Sequence, residues 1–576
     1  MRAGADHLEL QHCWRCTTGL YRSEITQRLS KHQARQWPIN ATKIIKREKR
    51  MGRLTLLAAL MRRVSVLGMI GLSLSLPLVA QAKDAGKITF VQGSDIDTLD
   101  PAVSRSVPSY NVINHVFNRL VAWDGRDRSA VVPDLATSWS KTEDGKTWTF
   151  VLKQGVKFHD GTDFNAEAVK FNLDRIRDPK LGSPHRSYYA DISSVEAVSP
   201  YELRITTKEA SPTLLELLAK ESSSISSPAA IKQYGRAYGH HPVGTGPYTF
   251  DSWIPNDQAI IEKNPAFYGE PGKPSKIVFR PVREDSSRVI ELRTNNADVA
   301  GNLSPEAAIE LQSLNKSDLL RVPSTFQVFF EMNLTKPPFD DPRIRRAVSM
   351  AIDRQALVDK VLLGYGKVPT GPFPEGTQAR QVFEPVKYDP DAARKIINDV
   401  YPGGYPGTVV MWTPAGRYTK DRQVAEVVQG YLNAVGLKTD FKVWEWATYQ
   451  KSLYRADPGK GTGKGTNDAN MWLLGTGLSD ADIRLRRKLS TGDPQNLTGY
   501  SNPQVDNLLK LAAHEMDVDK RLSYYKDIQK ILWEQDPDNL PLFDQEQIIG
   551  VRKELTGLDV NYEGTLDFKN VELIKR

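Results

Sequence analysis

Cysteine is almost absent from this chain: its 576 residues include two, Cys13 and Cys16, and none beyond them. Disulfide bonds therefore cannot stabilise a fold built from the later residues. Cys13-Trp-Arg-Cys16 has the CxxC spacing of redox or half-zinc motifs, but no second Cys/His cluster follows that would complete a site. HExxH is absent as well, so the sequence predicts neither a metal site nor a cofactor.

Net charge is also nearly absent from most of the chain. Residues 1–82 hold 14 of the 77 Lys and Arg but only 4 of the 69 Asp and Glu, which leaves 63 basic and 65 acidic residues for the rest. The formal charge of +8 therefore belongs to the first segment. A broad basic surface is excluded, and with it the main support for nucleic-acid binding.

No apolar run reaches the roughly 20 residues of a membrane-spanning helix. The run VSVLGMIGLSLSLPLV follows Met61-Arg62-Arg63 and precedes Ala80-Gln81-Ala82, which together have the three parts of a secretory signal. We predict a signal peptide at 61–82, a new N-terminus at Lys83 and a periplasmic location; a retained membrane anchor is the alternative. Residues 1–60 are interpreted as an upstream extension that is not part of the fold.

Catalytic motifs are missing too. Ser138-Trp-Ser-Lys141 has the SxxK spacing of serine hydrolases, but no SDN, KTG or GxSxG accompanies it. The segment GKGTGKGT at 459–466 lacks the spacing of a phosphate-binding loop. We therefore expect no enzyme, and a secreted serine hydrolase remains the alternative from another class.

The segment 144–176, DGKTWTFVLKQGVKFHDGTDFNAEAVKFNLDRI, has a clear local structure. Trp148, Phe150 and Leu152 alternate with other residues and predict a strand that is buried on one face. Asn165 is a helix cap, and apolar residues spaced by three and four predict the helix after it.

DGKTWTF, GVKFHDG and FNAEAVKFNLDRI resemble, in this order and spacing, the segment shared by family-5 extracytoplasmic solute-binding proteins of the peptide/nickel type. TLDP, GTGPY and PPFDDPRIRRAVSMAIDRQALV extend the resemblance from Thr98 to Phe543. It implies an α/β, two-lobed periplasmic binding protein-like fold of type II, the large peptide-binding class, with a hinge and an extra subdomain in the first lobe.

The same resemblance sets the expected domain boundaries and partners. Residues 83–325 would form the first lobe, with the subdomain inserted at about 124–247, and 326–538 would form the second lobe. Residues 539–576 would return to the first lobe. The protein would capture a peptide or peptide-like solute and deliver it to the permease subunits of an ABC importer, with their ATPases, as a monomer without nucleic acid.

The second lobe gives the clearest site prediction. Residues 408–446 read as a strand, a helix and a strand, which is a βαβ unit with parallel strands, and 470–474 reads as another strand. Ligands of open parallel sheets bind beyond the carboxyl ends of the strands. Aromatic and charged side chains suited to a peptide-like ligand follow these strands. They are Trp412, Arg417, Tyr418, Trp446, Asp480 and Asp482.

In dipeptide-binding relatives an Arg, a Tyr and a Trp contact the ligand, and by position these resemble Arg417, Tyr418 and Trp446. A first-lobe loop also approaches the ligand there, which makes Ser104, Arg105 and Ser106 candidates. For each residue, ordinary packing or a surface position is the alternative.

One departure from the family bears on the ligand. Relatives carry a Gly-Trp followed by an Asp that holds the α-amino group, whereas this chain reads LLGTGLSDADIRLRR. Peptides, acidic opines, glutathione-like compounds and metal chelates all remain open as ligands. His240 and His241 could bind nickel, although adjacent histidines chelate poorly, and a solvated loop is the alternative. Asp341 is predicted to cap a helix that carries Arg343, Arg345 and Arg346. These arginines could bind an anion, but we expect them on the solvated face of the helix.

Overall fold

The computed structural model describes residues 86–125, 130–314, 317–453, 468–477, 481–493 and 495–574. The predicted signal peptide, the upstream extension with both cysteines, and Asp480 lie outside the described residues. Within these ranges, no helix has the length and apolar character needed to cross a membrane.

The strands, in chain order, are Lys87–Gln92 (β1), Val121–Asp124 (β2), Ala130–Pro133 (β3), Ala136–Lys141 (β4), Thr147–Leu152 (β5), Ile192–Ser199 (β6), Glu202–Thr207 (β7), Tyr248–Ile254 (β8), Gln258–Lys263 (β9), Lys276–Pro281 (β10), Val299–Ala300 (β11), Ser317–Met332 (β12), Val409–Pro414 (β13), Thr439–Trp444 (β14), Met471–Gly477 (β15), Asn539–Arg552 (β16), Leu555–Thr556 (β17), Asp559–Val560 (β18), Leu566–Asp567 (β19) and Glu572–Leu573 (β20).

The α-helices are Val107–Val116 (α1), Ala166–Arg177 (α2), Leu214–Leu218 (α3), Pro228–Tyr234 (α4), Asp285–Arg293 (α5), Pro305–Ser313 (α6), Pro342–Met350 (α7), Arg354–Ala356 (α8), Pro390–Val400 (α9), Asp421–Ala434 (α10), Trp446–Leu453 (α11), Ala481–Leu489 (α12), Pro503–Ala512 (α13) and Val518–Lys530 (α14). Short 3₁₀ segments span Pro179–Leu181, Arg186–Tyr189, Glu221–Ser223 and Gly235–His240, and π-helical turns span Leu357–Val361 and Ile531–Gln535.

One ten-stranded sheet runs through the molecule in the order β14-β13-β15-β12-β16-β11-β1-β10-β9-β8. β13, β14 and β15 form one end of it, β1 and β8–β11 form the other, and the long antiparallel pair β12–β16 joins them. The predicted lobe boundaries fall inside β12 and at the first residue of β16. The predicted two-lobed α/β fold is confirmed.

The subdomain of the first lobe is built on a separate four-stranded sheet, β4-β5-β7-β6. Trp148, Phe150 and Leu152 of β5 are buried there, as their alternation predicts. The Asn165 side chain accepts a hydrogen bond from the Ala168 N–H at 3.0 Å and begins α2. The apolar residues of α2 pack on the same core.

The predicted βαβ unit of the second lobe is also present. β13 pairs with β14 and with β15, in parallel in both cases. Val409 and Met411 of β13 pack against α10 on one face of the sheet, whereas Trp412 packs in a cluster on the other face. The carboxyl ends of three neighbouring strands therefore meet at one edge.

The expectation for Arg345 is wrong. Asp341 caps α7 as predicted, accepting from the Arg343 N–H at 2.8 Å, but the Arg345 side chain is buried. It donates to the Phe339 carbonyl at 2.7 Å and pairs with Asp536 at the end of the last π-helical turn. A buried guanidinium needs such partners, and Asp536 is too distant in sequence to be foreseen.

A buried ion pair in the first lobe gives a stability prediction. Asp298 is fully buried, accepts from the Thr89 N–H at 2.9 Å and pairs with Arg552 at 3.0 Å. Asp298→Ala leaves Arg552 and an N–H without this partner, so we expect the free energy of unfolding to fall by about 3 kcal/mol. Chemical denaturation measures this loss. Asp391→Ala, in an exposed pair with Arg394, should change it by under about 0.5 kcal/mol, and equal effects would contradict the account.

Candidate functional site

The loop after β13 is organised by one carboxylate. Asp421 is buried, and its oxygens accept from the N–H groups of Gly416 at 3.2 Å, Arg417 at 2.7 Å and Tyr418 at 3.1 Å. Gly416 has a φ of 72°, which glycine adopts without strain. The backbone of the loop is therefore fixed before any ligand arrives, and the Arg417 side chain is left exposed.

Aromatic rings hold the Arg417 guanidinium. Its central carbon lies 5.2 Å from the ring centroids of both Tyr418 and Trp446. The two rings contact each other edge to face at 6.0 Å, and Trp446 stacks on Tyr449 at 5.9 Å. Such cation–π contacts orient a guanidinium without neutralising it. Within the described ranges Arg417 makes no ion pair, so its donors are available to an anion.

Trp412 and Asp482, two other candidates in the second lobe, are buried and contact neighbouring side chains. Trp412 is 5% exposed and packs against Trp444 with ring centroids 4.8 Å apart. Asp482 is 3% exposed, accepts from the Tyr525 hydroxyl at 2.9 Å and pairs with Arg486 at 2.6 Å. Trp412 supports the wall that carries Trp446, and Asp482 holds α12 against α14. Neither lies beside Arg417 as an open ligand group.

In the first lobe, the loop 104–106 is organised by Asp97. Its carboxylate accepts from the Ser104 hydroxyl at 2.8 Å, the Ser106 hydroxyl at 2.9 Å and the Arg105 N–H at 3.0 Å. Ser109 adds a further hydroxyl at 2.5 Å. Ser104 and Ser106 are thus committed to shaping the loop, and Ser106 also caps α1. The Arg105 side chain is exposed.

These hydrogen bonds set the charge state of Asp97. Burial raises the pKa of this carboxyl, but the bonds from Ser109, the Arg105 backbone, Ser104 and Ser106 together outweigh burial. The pKa therefore lies below its ordinary value, because the hydrogen bonds favour the ionised form. Asp97 remains charged at neutral pH and keeps the loop in place.

A chain of contacts leads from this loop across to the second lobe. The Ser104 carbonyl accepts from the Tyr110 hydroxyl at 2.9 Å and lies 2.7 Å from His185 Nε2. The His185 ring lies 6.1 Å from that of Tyr188, and the guanidinium of Arg487 on α12 lies 5.2 Å from the Tyr188 ring. The first-lobe loop and the second-lobe helix after β15 therefore face one another between the lobes.

The two lobes also meet beside the Arg417 loop. Lys420, three residues after Arg417, forms an ion pair with Glu306 in the first turn of α6. Lys420 has a φ of 56°, an unusual conformation for a residue other than glycine. The Thr419 hydroxyl lies 3.4 Å from Gln545 Oε1 on β16. The predicted binding loop is thus in direct contact with both the first lobe and a joining strand.

His240 and His241 stack on different rings. His240 lies on Trp253 at 4.6 Å and His241 on Tyr234 at 4.2 Å. In the part of the chain that the structure describes, no group of three or more His, Cys, Asp or Glu side chains is placed to hold a metal ion. Each of the two histidines therefore packs on an aromatic ring.

Asp97, Asp421 and Lys420 are the residues that sequence reasoning missed. Asp97 and Asp421 lie next to predicted loops, but an aspartate near a loop is too common to indicate a carboxylate that collects several N–H or hydroxyl donors. The ion pair of Lys420 depends on how the lobes meet. The only sequence signal for these roles was closeness to the Ser104 and Arg417 loops.

A long joining strand pair, parallel strand ends and facing loops form the two-lobed, type II periplasmic binding protein-like fold. A family model, bacterial extracellular solute-binding proteins, family 5 (middle), matches residues 130–487. The chain belongs to this family, as its sequence blocks predict. The members of this family are solute-binding proteins.

Named relatives agree with this assignment. The glutathione-binding protein GsiB of Shigella dysenteriae is 33% identical over 522 residues, which cover 89% of this chain and 99% of that protein. The periplasmic binding protein DppA of Helicobacter pylori, solved with the peptide STSA, has a TM-score of 0.70 at 24% identity, covering 85% of this chain and 98% of that one. HbpA2 of Haemophilus parasuis has a TM-score of 0.75 at 22% identity, covering 85% and 100%. Both solved structures share the fold of this chain.

The lowered pKa of Asp97 predicts a pH-dependent contribution to stability. A carboxyl whose pKa is lower in the folded state stabilises the fold above its ordinary pKa, near 4, and this contribution is lost as pH falls through the folded value. Asp97→Asn should therefore be less stable than wild type at pH 7, and the gap should shrink as pH falls below about 4. Urea denaturation at several pH values measures it. A gap of equal size at every pH would contradict the assignment.

Proposed function

We propose that this protein captures a peptide-like solute with a carboxylate group, glutathione being the first candidate, and delivers it to an ABC importer from the periplasm. The observation that carries the proposal is the Arg417 guanidinium, which is exposed and oriented by Tyr418 and Trp446 without an ion-pair partner in the described ranges. A guanidinium binds a carboxylate through two parallel hydrogen bonds. The 33% identity to a glutathione-binding protein supports the same class of ligand.

The proposed site has contributions from both lobes. Arg417 would hold the carboxylate, the Tyr418 and Trp446 rings would contact the apolar part of the ligand, and Arg105 would approach from the first lobe. Trp412, Asp482, Ser104 and Ser106 would act through packing and loop shape, since their side chains are already engaged. Asp480 is proposed as a ligand contact on the basis of the sequence alone.

Delivery requires that loading change the shape of the protein. We propose lobes at 83–325 and 326–538, with 539–576 returning to the first lobe and β12 and β16 acting as the hinge. Permease subunits and their ATPases would be the partners, and a monomer would suffice because both halves of the site lie on one chain. No catalytic group is assigned, so the ligand would leave unchanged.

Binding at Arg417 can be tested on a chain that begins at Lys83. Glutathione should raise the melting temperature of wild type, and mass spectrometry should recover it unaltered. Arg417→Ala should weaken binding roughly tenfold to hundredfold through loss of a charged hydrogen bond, and Trp446→Ala should weaken it as well. Arg417→Ala should leave the ligand-free melting temperature nearly unchanged, because Arg417 is exposed. Trp446→Ala should lower the melting temperature, because Trp446 packs against two apolar clusters, so its binding is measured well below its own melting temperature.

Arg422→Ala is the matched control, because Arg422 is an exposed arginine in the same region that pairs with Glu426. It should bind like wild type. Opines, dipeptides and a nickel–histidine chelate belong in the same panel. Normal binding by both Arg417→Ala and Trp446→Ala would show that the site is misplaced, and turnover of any ligand would favour an enzyme.

The Lys420–Glu306 ion pair should slow the dissociation of a bound ligand, because it holds the two lobes together. This pair joins the lobes, so removing it should favour opening and speed ligand dissociation by about two- to fivefold, the range for a partly exposed ion pair. Stopped-flow measurement of dissociation should show that Lys420→Ala, Glu306→Ala and the double variant have the same effect. Additive effects, or none, would show that the pair does not act between the lobes.

A further inference from the structure

The Tyr418 ring, over which the Arg417 guanidinium lies, contacts a ring of a joining strand. Tyr418 is 7% exposed, and its ring centroid lies 6.0 Å from that of Phe326 on β12, a distance typical of aromatic pairs. Both rings pack in the same apolar cluster. Because the central carbon of the Arg417 guanidinium lies 5.2 Å from the centroid of the Tyr418 ring, a shift of this ring would also shift the guanidinium.

The backbone at Phe326 is fixed by two hydrogen bonds. Phe326 lies inside the register shift between β12 and β16, and its N–H donates to the Ser324 hydroxyl at 3.1 Å. The N–H of the preceding residue, Thr325, donates to the carbonyl of Tyr562 at 2.7 Å. Tyr562 belongs to the last segment, which we assign to the first lobe. Phe326 is therefore held from the first lobe, whereas its ring contacts the Arg417 loop of the second.

A glycine of β15 makes room for the contact between the two rings. A Cβ placed on Gly475 would lie 2.5 Å from Cε1 of Phe326 and 2.9 Å from Cε1 of Tyr418. Carbon atoms in contact are about 3.5–4.0 Å apart, so any side chain here would push at least one ring away. Gly475 is not among the residues with a positive φ. It is required for close approach rather than for an unusual backbone conformation.

We propose that Phe326 is a positioning residue: it fixes the Tyr418 ring and, through that ring, the Arg417 guanidinium. Gly475 provides the space for this contact. Because Phe326 lies at the proposed hinge, bending of β12 moves its ring against Tyr418, which couples closure of the lobes to the direction of the guanidinium. This inference rests on the proposed function and adds residues that set the affinity of the same site.

Calorimetry with glutathione, at a temperature well below the melting temperature of every variant, tests the proposal. Phe326→Leu removes the outer part of the ring and should weaken binding roughly three- to tenfold, the range for loss of an aromatic pair. In the Arg417→Ala background the same substitution should have under about a twofold effect, because Phe326 acts through Arg417. Effects that multiply would show that Phe326 acts independently and would overturn the inference.

Gly475→Ala tests the same contact from the neighbouring strand. The added methyl group should displace a ring and weaken binding roughly tenfold or more. In the Phe326→Leu background, where the nearest atom is gone, its effect should be under about threefold. Gly430→Ala is the matched control, because a Cβ at Gly430 in α10 meets no described atom within 4 Å. It should bind like wild type.

The outcomes separate this inference from the proposed function. If Arg417→Ala weakens binding but Phe326→Leu and Gly475→Ala both bind like wild type, the inference fails and the function stands. If Gly475→Ala does not fold, the Phe326→Leu cycle decides alone. If wild type binds another ligand of the panel instead of glutathione, the same cycle is measured with that ligand. If wild type binds no ligand of the panel, the proposed function fails and the inference with it.

Discussion

The antiparallel pairing of β12 with β16 holds the two lobes together. These two strands place both lobes on one sheet, and their ladder extends from Ser317–Arg552 at one end to Glu331–Asn539 at the other. The register shifts between Pro323 and Gln327, at the middle of the pair. A bulge kinks and twists a strand locally, so we expect the proposed hinge to bend at this place rather than along the whole pair.

Polar side chains contact one another beside the register shift in β12 and β16. Gln327 donates to the buried Asp544 carboxyl at 2.8 Å across the two strands. Burial raises the pKa of Asp544 to about 6, with Gln327, Arg380 and Lys367 opposing that rise and Glu375 adding to it. The neighbour of Asp544, Gln545, contacts Thr419 in the Arg417 loop. The joining strands and the binding loop are therefore connected within a few residues.

Much of the fold followed from sequence patterns, for identifiable reasons. Trp148, Phe150 and Leu152 lie on a sheet with one buried face, so alternation revealed them. β13 is buried on both faces, and every residue from Val409 to Pro414 reads as apolar or small, so the pattern could not tell that Trp412 faces away from α10. The edge of the sheet was predictable from parallel topology, but the direction of a side chain within it was not.

Tertiary contacts set the remaining limits. Arg345 read as a surface residue because its partner, Asp536, lies 191 positions away. Arg486 and Arg487 are adjacent and alike in sequence, and only the packed structure separates the arginine paired with Asp482 from the one that lies on Tyr188. Asp421 and Asp97 gained their roles from loop backbones that converge on them. Local patterns therefore predicted elements, whereas charge pairing required the three-dimensional arrangement.

Small-angle X-ray scattering can show whether the protein captures its solute by closing about the β12–β16 hinge. The radius of gyration would be measured for the chain from Lys83 onward, stripped of ligand by partial unfolding and refolding, and then with saturating glutathione. The radius of gyration should be smaller with ligand and should return to the larger value when the ligand is removed. Saturable binding with an unchanged radius of gyration would contradict it.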